Sequence, residues 1–585
     1  MLGALLGALL PWNAVAAVYV MIALAASGLS LYTLAREWLP RQASVIAACL
    51  YIVNPYAMFV AYERTAFSEL LAGVWLPLIL LYALRSRAPD AASDSTSDPA
   101  PDSTSDPAPD STSDSPPDSA SDPVPARARA QPGPGREAAI FSAIPLALTV
   151  AAVWLTNAPA AVMASYTLAI VALVAAISER TWWPILRAST GAALGIAFAA
   201  FYIVPAAFER RWVDISRATA PGMRPQDSFL FEHTGEAFHD QVLHTASWIA
   251  VSLLTAFALA TLASWRSRRL GRRHPSPKPA LPGHPPALPP LVYRPMLILP
   301  PLLLLLMLPL SNFIWRHAPE LAFLQFPWRW LLVLSIVASI AVAIAFDIPL
   351  ARFQAAPTTA ATPAAHPGSP PAATRRMQIA AAALLAAAAA LIYTEQRLFW
   401  QPCDSEDMVS NQLTVFHHEG FAGTDEYTTP GVDNESIQQG LPAVRILTAI
   451  DEDEADSSVD PNPPWSPPTA LSTSPANHPA HPAQLKLLTW EDESKAFTVS
   501  AAAPAYAVLR LLDYPAWEVR VNGTLLPIRP HRADGLMTVP LHAGVSVISV
   551  HYRTTPDVRW GRAISVAALV VLLLLVLRQR RNRRL

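Results

Sequence analysis

The chain has 585 residues, 52% hydrophobic and 15% charged, with 42 Lys and Arg against 44 Asp and Glu, for a net charge of −2. At a mean hydropathy of +0.29 it is too apolar for a water-soluble globule and fits a multi-span membrane protein. Its basic clusters sit beside hydrophobic runs, so there is no nucleic-acid footprint. Cys49 lies in an apolar run far from Cys403, which argues against a disulfide or a thiolate metal site.

In chain order, about eleven runs are long and apolar enough to cross a hydrocarbon core of about 30 Å. They fall at 13–35, 42–60, 66–85, 138–156, 158–177, 187–206, 245–264, 296–310, 328–346, 377–394 and 561–578. The first carries neither a basic start nor a small-residue cleavage site, so it reads as a span rather than a removable signal. The run MLILPPLLLLLMLPL at 296–310 is short and broken by proline. Gly191 and Gly195 make a G-x-x-x-G spacing, as do Gly3 and Gly7, and small residues at that interval let helices approach closely.

Between the spans, residues 94–125 repeat an eight-residue unit, DSTSDPAP, which has too little apolar surface to fold. Residues 271–290 and 354–374 read as Pro/Ala/His-rich linkers. The expected organisation is helices in 1–85, a linker at 86–137, and helices in 138–394 with linkers at 265–295 and 347–376. An irregular segment at 395–483, a β-sandwich at 484–558, and a final helix with a basic tail at 559–585 follow.

Arginine near the span ends sets the expected orientation. The tail RQRRNRRL, the cluster RSRRLGRR at 266–273, and Arg36, Arg85, Arg180 and Arg187 all fall on one side, the cytoplasmic one. Met1 then lies outside, which implies a preceding helix and external loop that this sequence does not include.

The external block turns β-like after residue 483. QLKLLTW, KAFTVSAA, YAVLRLL, AWEVRVNG, TLLPIRP, GLMTVPL and VSVISVHYR are short runs bounded by turn signals, and Asn522-Gly523 is a strong hairpin signal. The expectation is a small extracytoplasmic sandwich or jelly roll. Tyr514 and Trp517 could stack on a sugar there, though filling the core is the expected role.

The stretch NPYAMFVAYERTAFSELLAG, residues 54–73, places Tyr62, Glu63, Arg64 and Glu69 at an external junction between two spans. Arginine is depleted on that side of inner membranes, yet Arg64, Arg210, Arg211, Arg316, Arg329, Arg559 and Arg562 all fall there. One reading is a clamp for an anionic lipid, because guanidinium groups match phosphate and stay charged. Arg64, Glu69, Arg210, Arg211 and Arg329 are its candidate residues, with Tyr62, Glu63, Asn157 and Gln325 in support. The other reading is local pairing: Glu63 and Glu69 with Arg64, Glu209 and Asp214 with Arg210 or Arg211, Glu320 with Arg316. Glu69 is the strongest intramembrane carboxylate. Asn157 suits the cap of a short turn. The loop 232–244 holds His233, Glu236, His239, Asp240 and His244, at no familiar metal spacing, so no metal ligand is assigned and a divalent ion is left open. No Walker loop, Rossmann fingerprint or nucleophile elbow is present.

The segments LYIVNPYAMFVAYERTAFSELLAGVWLPL and LAFLQFPWRWLL resemble bacterial membrane proteins labelled 6-pyruvoyl-tetrahydropterin synthase-related. The segment LLDYPAWEVRVNGTLLPI resembles the membrane-proximal β-domain of YfhO-type proteins. Both groups look like relatives of the GT-C glycosyltransferases. The resemblance implies an inner-membrane enzyme that moves a sugar from a polyprenyl-phosphate carrier at the outer face. Its partners would be membrane lipid and the lipid-linked sugar. It implies an acidic catalytic residue in the first external loop, which the topology count leaves outside this sequence, so the catalytic residue is unknown. Arg64, Glu69 and Arg329 match family motifs as carrier-binding or architectural positions. The alternative is a non-catalytic scaffold or lipid-linked-glycan partner. A transporter fits less well, since no paired half-helices or inverted repeat stand out.

Overall fold

The computed structural model describes residues 2–85, 136–273, 290–355, 408–419, 442–451 and 483–582, with scattered positions between 386 and 437. Among them, seven helices are long and apolar enough to cross a membrane, or up to nine if each of two bent pairs forms one span. A multi-pass helical membrane protein with a C-terminal β region is therefore what the chain folds into. The expected count of about eleven spans is not reached among the described residues. The run 138–156 lies within one helix of 21 residues, Arg136–Thr156. The expected span at 377–394 and the repeat at 94–125 lie wholly or largely outside the described residues.

The helices are α1 (Leu2–Leu9), α2 (Trp12–Arg36), α3 (Arg41–Ile52), α4 (Pro55–Met58), α5 (Phe67–Ala72), α6 (Trp75–Leu84), α7 (Arg136–Thr156) and α8 (Ala158–Glu179). Then come α9 (Trp183–Phe198), α10 (Ala200–Glu209), α11 (Ala237–Arg273), α12 (Pro290–Leu306), α13 (Asn312–His317), α14 (Leu331–Ala355), α15 (Val409–Glu419) and α16 (Pro556–Asn582). The cluster RSRRLGRR continues α11 rather than opening a linker. The bundle core is continuous, with Leu31, Tyr56, Phe59, Trp328, Trp330 and Leu334 at its centre. The spacing of Gly191 and Gly195 is used: a Cβ on Gly195 would stand 2.6 Å from the Ala147 carbonyl, so α9 lies directly against α7.

Two of the expected spans are bent, one of them the run already read as broken by proline. α9 and α10 meet at 77°, and residues Val292–Leu306 and Pro309–His317 meet at 88°. Backbone groups freed inside a bilayer must find partners within the protein. At the first break, Ser565 of α16 accepts from the Phe201 amide at 2.9 Å and donates to the Phe198 carbonyl at 3.0 Å. At the second, Trp315 Nε1 donates to the Leu306 carbonyl at 2.8 Å and the Leu230 amide donates to the Met307 carbonyl at 3.0 Å.

The β region is two antiparallel sheets. β1 (Val444–Leu447), β4 (Ala505–Leu512) and β7 (Leu536–Leu541) form one, in the order β1-β4-β7. β2 (Gln484–Trp490), β3 (Ser494–Ala501), β8 (Gly544–Tyr552), β5 (Trp517–Val521) and β6 (Thr524–Leu525) form the other, in that order. Phe497, Val519, Met537 and Ile548 from both sheets fill one core, as a sandwich requires. The hairpin between β5 and β6 turns at Asn522 (φ 51°) and Gly523 (φ 80°), both left-handed, as a type I′ turn demands. β1 falls inside the segment expected to be irregular, and only Thr524–Leu525 of the TLLPIRP run is strand.

Candidate functional site

The chain leaves its second span through a widened turn. After α4, residues Phe59–Glu63 form a π-helical turn in which the Arg64 amide bonds back to the Phe59 carbonyl at 3.0 Å. Such turns re-aim side chains and are frequent at functional sites. Thr65 then takes a left-handed φ of 48° and reverses the chain into α5. The result folds Arg64 back over Glu69, in the first turn of α5.

Glu69 is 2% exposed and fully engaged. Its Oε1 accepts from the Tyr56 hydroxyl. Its Oε2 accepts from Arg64 Nη1 at 2.8 Å and lies 3.4 Å from Arg329 Nε. Arg329 reaches it from a short 3₁₀ turn, Pro327–Trp330, at the start of α14. That turn is set by Gln325, whose backbone is left-handed (φ 62°) and whose side chain donates to the Ala218 carbonyl at 2.8 Å. Arg329 Nη1 donates to the Leu324 carbonyl at 2.8 Å, while its buried Nε has no hydrogen-bond acceptor among the described residues.

Aromatic rings line the two cations. The Arg64 guanidinium lies 4.5 Å from the Trp328 ring and 5.7 Å from Phe326; Arg329 lies 5.0 Å from Phe326. Phe326 stacks on Trp328 at 5.0 Å, and Phe59 meets Trp328 edge-on. Ring faces attract cations most where water is excluded. Beside Tyr56 and Glu69 is a void of about 10 Å³, room for one water at most.

The structure thus brings together Arg64, Glu69 and Arg329 and adds Tyr56, which the sequence did not single out. Its signal was present in NPYAM, where Asn54 caps the Ala57 amide at 3.0 Å and starts the turn carrying Tyr56. The other expected residues stand elsewhere. Arg210 pairs with Glu320 at 3.3 Å, both about half exposed. Arg211 stacks 3.8 Å from the Phe208 ring. Tyr62 is exposed. Glu63 ends the π turn, and its buried Oε1 has no hydrogen-bond partner among the described residues. Asn157 caps α8 through the Ala160 amide at 2.8 Å and also donates to Ser68 at 3.1 Å. Of the expected neighbour pairings, Arg64 with Glu69 forms, while Glu320 takes Arg210 rather than Arg316. Asp214 pairs with Arg217 at 3.4 Å.

In the histidine loop, Asp240 accepts from the Thr234 amide at 2.7 Å and lies 3.7 Å from His233. His239 sits 3.0 Å from the Asp227 carbonyl, and Trp248 Nε1 donates to His244 at 2.8 Å. No group of three or more His, Cys, Asp or Glu could hold a metal among the described residues.

The sandwich meets the bundle through Glu209 at the end of α10. The Tyr514 hydroxyl donates to Glu209 Oε2 at 2.9 Å, Thr555 reaches Oε1 at 3.4 Å, and Trp212 meets the Tyr514 ring edge-on. Burial and the Glu209 carboxylate push the Tyr514 phenol well above its ordinary range. Trp517 packs edge-on against Tyr552 with the Lys495 ammonium 4.7 Å from its ring. Tyr514 and Trp517 are therefore packing residues in this structure.

Comparison of the chain with protein-family models, curated proteins and solved structures finds no match.

Proposed function

We propose that this chain handles a phosphate-headed lipid at the exported rim of a bacterial inner membrane, in the manner of GT-C enzymes that draw sugar from a polyprenyl-phosphate carrier. Charge carries the reading. Two guanidinium groups share one carboxylate, so formal charges of +2 and −1 leave the buried cluster at +1. An uncompensated charge at such a depth is costly, and an anion docking beside Arg64 offsets it. A guanidinium fork suits phosphate. The cluster stands where one span ends, the next begins and Pro327–Phe346 starts, the level at which this reading puts the headgroup.

Glu69 favours a second reading, a non-catalytic partner in lipid-linked-glycan handling. A general base needs a free oxygen within about 3 Å of the acceptor hydroxyl, and both Glu69 oxygens are taken. Glu63, one residue before Arg64 in the chain, has a buried oxygen with no hydrogen-bond partner among the described residues.

Binding of a short polyprenyl-phosphate analogue to the purified full chain tests the first reading. Arg64→Ala and Arg329→Ala are expected to weaken it at least about tenfold, or 1.4 kcal/mol, in protein that still melts cooperatively. Arg210→Ala, which loses only an exposed pair, is expected to stay within about twofold. Unchanged binding in both cluster variants overturns the reading. Glu63→Gln then separates enzyme from partner: sugar transfer in proteoliposomes lost with lipid binding intact supports the enzyme.

A further inference from the structure

Helices α11 and α12 both lean on α14 but make little contact with each other. Between them is a cavity of about 330 Å³, far larger than the 10 Å³ void beside Glu69. Its floor is apolar, with Phe257, Met296, Leu297 and Ile344. Its mouth carries the hydroxyls of Thr261 and Ser264, the rings of Trp265 and Tyr293, and Arg269. Trp265 and Tyr293 are 46% and 37% exposed, and the Arg269 guanidinium lies 3.8 Å from the Trp265 ring.

From floor to mouth the lining passes from alkyl to hydroxyl to amphipathic ring to guanidinium. A bilayer leaflet passes through the same sequence of polarity from acyl chain to headgroup. A soluble ligand has no use for so apolar a floor beneath exposed tryptophan. No acidic side chain among the described residues lines the cavity, and Arg266 follows Trp265 on the exposed surface of α11.

We infer that this crevice holds one anionic phospholipid, its chain along the apolar floor and its phosphate against Arg269 with the Ser264 hydroxyl. Charge complementarity selects the anionic lipid, since a zwitterionic one brings its own ammonium to the same guanidinium. The lipid fills space that α11 and α12 leave open, a gap that a close-packed interior does not tolerate empty. The site is separate from the Arg64 cluster and does not depend on the reading above.

Native mass spectrometry of the full chain, taken from bilayers of equal phosphatidylglycerol and phosphatidylcholine and partly delipidated, tests this. At least one retained phosphatidylglycerol is expected, enriched about fivefold over phosphatidylcholine, the effect of one basic side chain at an anionic surface. Arg269→Glu is expected to bring the ratio to parity. Ala341→Phe fills the crevice while leaving every arginine in place, and is expected to remove the retained lipid; Arg64→Ala is expected to leave it. Parity in the unmodified chain overturns the inference. So does retention unchanged by both Arg269→Glu and Ala341→Phe, which would assign the lipid to the general basic surface.

Discussion

Glu69 carries three partners on two oxygens, and that sets what its loss does. Glu69→Gln keeps the shape but leaves two buried guanidinium groups without a countercharge, at an expected cost of about 3–5 kcal/mol. Tyr56→Phe removes one hydrogen bond and is expected to cost about 1 kcal/mol. Thermal unfolding of the purified chain in detergent reads both, and an unchanged midpoint for Glu69→Gln would mean that water reaches the cluster. Asp557 is the opposite case. It is 4% exposed beside Glu209, and neither of its oxygens has a hydrogen-bond donor among the described residues. Asp557→Asn puts an amide donor where two carboxyl groups now face each other, and is expected to raise stability by about 1 kcal/mol; a lower unfolding midpoint contradicts the contact. Arg64, Glu69 and Arg329 were legible in the sequence because ionisable groups beside apolar runs are conspicuous. The Arg64–Glu69 pair was legible as well, five residues apart, but the contact with Arg329 was not. Glu69 and Arg329 lie on spans far apart in the chain, and only the packing of α14 against α3 and α4 brings them together.

Single elements were easiest to read where the local signal and the tertiary demand agree. The Asn522-Gly523 hairpin is one such place, since its left-handed backbone is cheap for those two residues alone. The bent spans are the counterexample. Hydropathy is blind to direction, so 187–206 read as one span and the prolines of 296–310 did not give the bend angle, and the compensating groups come from elsewhere: Ser565 sits on the last helix, and Leu230 in a loop. β1 escaped notice because VRIL is only four residues long in a polar setting, yet it forms the edge of the smaller sheet and buries Val444. Ser565→Ala leaves the Phe201 amide and the Phe198 carbonyl at the α9–α10 break without their side-chain partner, at an expected cost of about 1–3 kcal/mol. Hydrogen exchange should show faster exchange at residues 199–202 and little change in α3. Equal protection at the break in both proteins would show that another group holds it.

Among the described residues of the helical bundle, polar contacts gather at two ends. At one, Arg85 pairs with Glu37 at 2.7 Å, and Arg187 donates to the Ala83 and Arg85 carbonyls, closing the end of α6. At the other stand the Glu69 cluster, the Asn157–Ser68 contact, the Arg210–Glu320 pair and the sandwich joint at Glu209. The first end collects arginine from loop after loop, the second far less, and the bias in arginine is what orients a multi-span chain. Labelling with a membrane-impermeant maleimide tests which end is exported. In a chain with Cys49 and Cys403 replaced by serine, Tyr62→Cys places a thiol at an exposed position of the cluster end, and Arg180→Cys places one at the turn after α8. The expected outcome is labelling of position 62 in intact spheroplasts and of position 180 only after the membrane is opened. Reversed labelling would move the Arg64 cluster and the sandwich to the cytoplasm. There the arginine would follow the ordinary bias and ask for no lipid to explain it.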